Sequence, residues 1–177
     1  MSSSPNKQKH PVRKIIFGVL ILAILAVSAF LAYMAVHENH RQAQLEASIN
    51  ALQANLKAHG IEAQKIASCA RNEEGFGEGA KHCDIGSEFT TNSRSEYFRA
   101  AGAYMNFLAS SEHFTANSRL VELAQLQDNT EYHSVAYVQN SVKAKCGILY
   151  QFVKSRSRYD IQFSCDDTSW FVRTFEG

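Results

Sequence analysis

The chain has 177 residues, a formal net charge of +1, and 20 % charged and 45 % hydrophobic side chains. That length supports one modest core with an appendage. The near-neutral balance excludes the strongly basic surface of a general nucleic-acid binder, and four cysteines without a Cys-x-x-Cys pair fit none of the common zinc frameworks.

Residues 15–36 read IIFGVLILAILAVSAFLAYMAV, 22 positions without charge or proline. At about 1.5 Å per residue a helix of this length reaches about 33 Å, enough for a bilayer core. Lys7, Lys9, Arg13 and Lys14 precede it with no acidic residue, and His37, Glu38, Asn39, His40 and Arg41 follow. The positive-inside rule makes residues 1–14 a cytoplasmic basic tail and puts everything beyond residue 36 outside. A signal peptide cut after Ala29 is the alternative; the length of the run favours an uncleaved signal-anchor. The expected location is the cell membrane, single-pass, with the lipid bilayer as partner of residues 15–36. All 17 acidic residues and 14 of the 18 basic ones lie from His37 onward, so the outer part is mildly acidic and no nucleic-acid partner is expected. The lack of any Asn-x-Ser/Thr sequon leans towards a bacterial envelope.

Residues 37–60 continue without proline, and Leu45, Ile49, Leu52 and Leu56 recur at spacings of 4, 3 and 4. That is one apolar stripe on a helical stalk, with Gly60 as its C-cap. Anchor and stalk together make one helix over 15–59, about 67 Å long. The stripe packs either on the chain's own domain or on a partner helix, through which the chain would homo-oligomerise. Two heptads are fewer than a sustained coiled coil shows, which favours intramolecular packing. The four residues are nonetheless candidate interaction residues.

The outer domain is expected over 61–177. Residues 61–70 read as a short second helix, and CARNEEGFGEGAKHC, Cys69 to Cys83, as a surface loop closed by a disulfide. Its Glu73, Glu74 and Glu78 lack the spacing of a calcium loop. Ser93-Arg94-Ser95-Glu96 fits a capping box opening a helix to about Ser110, with Tyr97, Ala101, Tyr104, Met105 and Leu108 on its apolar face.

From Ser118 the periodicity changes to two. Strands are expected at 119–126, 131–139, 142–153, 158–165 and 169–175, with turns at Asp128-Asn129, Asn140-Ser141, Ser155-Arg156 and Asp166-Asp167. The inward face takes Val121, Leu123, Val135, Tyr137, Ala144, Cys146, Ile148, Tyr150, Ile161, Phe163, Trp170 and Val172. The outward face takes Lys143, Lys145, Gln151, Arg158, Asp160, Gln162 and Arg173. Around the turn at Ser155-Arg156, Cys146 faces Cys165, Ile148 faces Phe163, Tyr150 faces Ile161 and Phe152 faces Tyr159. A one-residue slip would bring Asp160 and Gln162 into that set, so the register is well specified. Lys154–Ser157 contains no Gly or Asn, which suits a four-residue loop around a type I turn. Facing cysteines are within disulfide range, and outside the membrane thiols oxidise. Cys146 therefore pairs with Cys165, leaving Cys69 with Cys83. The expected fold is α+β: an N-terminal transmembrane helix continuing into a stalk, then a helix packed on an antiparallel meander of four to five strands with two disulfides.

No phosphate loop, nucleophile elbow or His-Glu-x-x-His motif is present. His37 and His40 stand at i, i+3 beside the span without a third ligand, and His133 alternates onto the apolar face. Asp166 and Asp167 suit a turn. No catalytic, cofactor or metal site is expected. The basic hairpin tip, Lys154, Arg156 and Arg158, is the best candidate contact site, although charge on a tip also serves solubility and edge protection.

The order of an apolar N-terminal helix, a stalk, a sheet and a cysteine-closed hairpin resembles type IV pilins and pseudopilins. If Gly18 ended a leader, Ala23 would stand where pilins carry Glu, and Ile15, Ile16 and Phe17 where leaders are charged. The layout is also similar to bitopic subunits of secretion or conjugation machines. Three functions follow as expectations. The first is a non-catalytic protein–protein module of the cell envelope, bound to other membrane or envelope proteins. The second is an outer module for a small ligand or glycan, which would expose Tyr97, Tyr104, Tyr137 or Tyr150 in a groove. The third is an anchored enzyme.

Overall fold

The computed structural model describes residues 10–71, 81–117, 126 and 132–167. It comprises two compact units, residues 1–40 and 41–177. The first helix, α1 (His10–Ala58), belongs to both. In the first unit, every large apolar side chain from Ile15 to Val36 that stands out from the helix is 43–69 % exposed. This is one N-terminal helix long and apolar enough to cross a membrane, by length and composition.

The second unit starts at Arg41 rather than at Ile61. Leu45, Ile49, Leu52 and Leu56 are each 0 % exposed and belong to one hydrophobic core with the sheet and the second helix. The stretch expected to be a stalk is thus a structural layer of the domain. Its end is a Schellman motif. Gly60 takes the left-handed conformation at φ 69°, its N–H donates to Lys57 O (2.9 Å), and the Ile61 N–H donates to Leu56 O (2.9 Å). Ile61 and Leu56, both buried, supply the accompanying apolar contact.

Among the described residues six antiparallel strands follow: β1 (Gln64–Arg71), β2 (Lys81–Thr91), β3 (Phe114–Ala116), β4 (Tyr132–Gln139), β5 (Lys145–Val153) and β6 (Arg158–Asp166), in spatial order β1-β2-β6-β5-β4-β3. The helix α2 (Arg94–Ser110) leaves β2 near one edge and returns the chain to β3 at the other. It crosses one face of the sheet and buries Tyr97, Ala100, Ala101, Ala103, Tyr104 and Leu108. Ser93 caps it, its hydroxyl accepting from the Glu96 N–H; the return arm of the box is supplied by Thr91, which donates to the Glu96 carboxylate (2.7 Å) and accepts from the Ser93 N–H (3.0 Å).

The β5–β6 register is the expected one, Cys146↔Cys165 through Phe152↔Tyr159, and both disulfides, Cys146–Cys165 and Cys69–Cys83, are formed. Val135, Tyr137, Ala144, Cys146, Ile148, Tyr150, Ile161 and Phe163 are all buried, as the alternation required. Three expectations differ. Residues 61–70 are not a helix: Gln64–Arg71 pairs in full register with Lys81–Glu88. Cys69 and Cys83 therefore face each other across a strand pair, and the flanks of the expected loop are ladder. The sheet is more than a meander of four to five strands, because β2 adds to the free side of β6 and β3 to β4. Residues 72–80, 119–125, 128–129 and 169–175, with Val121, Leu123, Trp170, Val172 and Arg173, lie outside the described residues. Leu126, the last residue of the strand expected over 119–126, is helical instead and half-buried against the core.

Polar groups fix the helical layer. Arg41, 7 % exposed, donates to Asp166 O (2.7 Å) and Asp167 O (3.3 Å) and pairs with the Asp167 carboxylate at 3.5 Å. Ser48 accepts from the buried Gln139 Nε2 (3.0 Å), while Gln139 Oε1 accepts from the Val142 N–H (2.8 Å). Ser87 and Tyr104 share a buried hydrogen bond of 2.9 Å between β2 and α2. Each satisfies a group that would otherwise be stranded in the core.

Candidate functional site

The hairpin tip is built by its own turn. Val153↔Arg158 is the last ladder pair, Lys154–Arg156 forms one 3-10 turn, and Ser157 closes it in the left-handed region (φ 46°), donating its N–H to Lys154 O at 3.2 Å. The four-residue loop read from the sequence is the loop observed. Lys154 and Arg156 are exposed. Arg158 behaves differently. Arg158 and Asp160 are two apart on β6 and so share the face turned from the core. The guanidinium Nε lies 2.7 Å from Asp160 Oδ1, and Nη2 donates to Oδ2 at 2.8 Å. This two-point pair raises the guanidinium pKa, chiefly through the hydrogen bond to Asp160, and neutralises its charge locally. Arg158 is thus tied to Asp160, while Lys154 and Arg156 are the exposed basic residues of the turn.

Beside the tip runs a row of rings. Phe152 and Tyr159 are 4.7 Å apart by centroid, Tyr159 and Tyr97 4.9 Å, and Tyr97 and Phe98 5.3 Å. The Arg94 guanidinium sits 5.6 Å from the Phe98 centroid. The row ties the tip to the first turn of α2, so the two exposed cations stand on a fixed base.

The four tyrosines that a ligand groove would expose are inside the core instead, Tyr97, Tyr104, Tyr137 and Tyr150 all being buried. Burial disfavours the phenolate, pushing Tyr97 and Tyr137 up to about 12 from the ordinary 10.0 and raising Tyr104 and Tyr150 as well. The folded state keeps these protons after the unfolded chain, ionising near 10, has lost them. Their contribution is complete below pH 10 and is lost as pH rises towards 12. Denaturant midpoints should therefore be flat through this tyrosine term up to about pH 10 and then fall, with phenolate absorbance at the transition. A midpoint unchanged at pH 11.5 would contradict this burial.

The stripe Leu45, Ile49, Leu52 and Leu56 is placed under the sheet and presents no surface to a partner in this fold. His37 and His40 are exposed, and His37 stacks loosely on Tyr33 at 6.2 Å. Among the described residues no three or more His, Cys, Asp or Glu side chains gather to hold a metal ion. Sequence reasoning passed over Arg41, Gln139 and Ser87. Arg41 lies five residues beyond the apolar run 15–36 and reads as a flanking charge; Gln139 and Ser87 are polar residues at inward positions of strands, where their value depends on partners distant in sequence. A scan against protein-family models, a search of curated proteins and a search of solved structures each return no match. The likeness to pilins accordingly rests on element order and the cysteine-closed hairpin alone.

Proposed function

We propose that this chain is a single-pass membrane-anchored protein, its N-terminus cytoplasmic, whose outer α+β domain is a non-catalytic contact module in a membrane-associated assembly of the cell envelope. The observation that carries the reading is the pairing of one bare apolar helix with a domain closed by two disulfides. The first feature asks for lipid and the second for an oxidising compartment. Within the domain, Lys154 and Arg156 are a rigidly mounted basic pair on an outer part that is acidic overall, a pattern that suits an acidic patch on a neighbouring protein.

The test is photocrosslinking in the native membrane from a reactive residue at Ser155, in the parent and in K154E/R156E. The expected result is a discrete adduct with a second protein, lost on charge reversal, with the free energy of unfolding within about 0.5 kcal/mol of the parent, as surface substitutions allow. Arg158 is left untouched because its reversal would strand Asp160. An adduct that survives reversal sinks the tip as contact site; recovery of the monomer alone from all outward positions sinks the assembly reading.

A further inference from the structure

The two disulfides occupy unlike places. Cys146–Cys165 joins β5 and β6, the two middle strands, and each cysteine has a further strand neighbour: Tyr137 faces Cys146 and Ile85 faces Cys165. Both sulfur-bearing residues are buried, Cys165 at 0 % exposure. Cys69–Cys83 joins β1, the outermost strand among the described residues, to β2, and Cys69 is exposed while Cys83 is half-buried. Thiol–disulfide exchange requires a thiolate to reach a sulfur, so exposure separates labile from inert bridges.

The described side chains of β1 bury little. Gln64, Lys65, Ala67, Ser68 and Cys69 are exposed and Ile66 is half-buried. Among the described residues, Lys65 makes surface contacts from β1 to Asn50 (3.4 Å) and Glu46 (3.8 Å) of α1. A strand that buries so little apolar surface belongs to the low-stability end of a domain. Its ladder to β2 and one covalent bridge keep it on the sheet.

We propose that Cys69–Cys83 is a thiol–disulfide exchange site for an external dithiol, and that its state decides whether β1 or β2 forms the edge of the sheet. A thiolate of the dithiol attacks Cys69 Sγ, forming a mixed disulfide and expelling Cys83 as thiolate, which takes a proton from water. The second thiol of the reductant, as thiolate, then displaces Cys69. The reductant leaves as its own disulfide, the chain keeps two thiols, and two electrons have passed to it. With the bridge open β1 detaches, and the outer N–H and C=O groups of β2 become available for pairing with a strand of another chain. Cys146–Cys165 stays closed and holds the rest of the sheet.

The test uses the full-length chain in phosphatidylglycerol-containing nanodiscs, titrated with dithiothreitol under native conditions, trapped by alkylation and read by mass spectrometry, with amide exchange on the trapped species. Cys69 and Cys83 should be labelled more than about tenfold faster than Cys146 and Cys165. In the reduced protein, protection should be lost over 64–71 and kept over 145–166. The C69S/C83S variant, which needs no reductant, should show the same exchange pattern. Equal labelling of all four cysteines, protection of β1 that survives reduction and the double substitution, or loss of protection across β5 and β6 together with β1 would each overturn the proposal.

Discussion

Gly86→Ala is expected to destabilise the domain by about 3 kcal/mol or more, at the upper end of what overpacking costs. Gly86 lies on β2 opposite Ser164 of β6, and a Cβ built on it would stand 1.9 Å from Phe163 O and 2.8 Å from Ser164 Cα. These are backbone atoms of an inner strand, ladder-bonded on both sides, so no side-chain rotation relieves the clash. Either β2 lifts from β6 or both bend, and both routes cost ladder hydrogen bonds in the interior of the sheet. Gly147 is the matched control. It occupies the same cross-strand row on the other side of Ser164, yet its nearest neighbour to an added Cβ is Val135 O at 4.0 Å. Gly147→Ala should change stability by less than about 1 kcal/mol, with a gain expected from the reduced freedom of the unfolded chain. Urea unfolding of the two variants measures the contrast; equal midpoints would mean that β2 and β6 do not approach as closely as described.

Removing residues 41–58 should abolish folding of the disulfide-bonded domain. A chain beginning at Ile61 should remain unfolded, whereas one beginning at Arg41 should give a cooperative transition. Four fully buried aliphatic side chains at about 2 kcal/mol each rival the whole stability of a domain, about 5–15 kcal/mol. Loss of the helix would also strand the buried Gln139 amide, whose partner is Ser48. Leu52→Ala alone should cost about 2–5 kcal/mol, the range for a buried leucine. Amide exchange or denaturant titration reads both effects. Native-like protection of β5 and β6 in a chain starting at Ile61 would show that the segment is a spacer after all.

The parts of this fold that could be read from sequence are those where the buried set alternates without interruption. Along β5 and β6 every inward residue is apolar or cysteine, and the turn between them fixes the register. On β2 the inward set includes Ser87, which is satisfied by Tyr104 from α2. One hydroxyl breaks the period-two pattern, and the strand is invisible until its helical partner is known. On β1 the residues on the core-facing side include Lys65 and Cys69 at an edge, where alternation carries no burial signal. Its Gln, Lys and Ala content favours helix, and pairing with β2 overrides that preference. Strand β3 is three residues long and too short for any period. The stripe on α1 shows that one face of the helix is buried, but periodicity does not say against what. At the tip the three positive charges were legible and the neutralisation of Arg158 by Asp160 was not, although both had been assigned to one face.

The layer that residues 41–58 contribute has a consequence for biosynthesis. Ser48 leaves the ribosome 91 positions ahead of Gln139, and Arg41 125 positions ahead of Asp166. The leading segment of the domain thus carries a bare apolar stripe until nearly the last strand is made. Contacts of such sequence separation form late and slowly, and during the wait the stripe is open to misassociation with neighbouring nascent chains. The stripe is enclosed only after the strands that cover it have been made, so the first-made layer of the domain is among the last to be shielded from water.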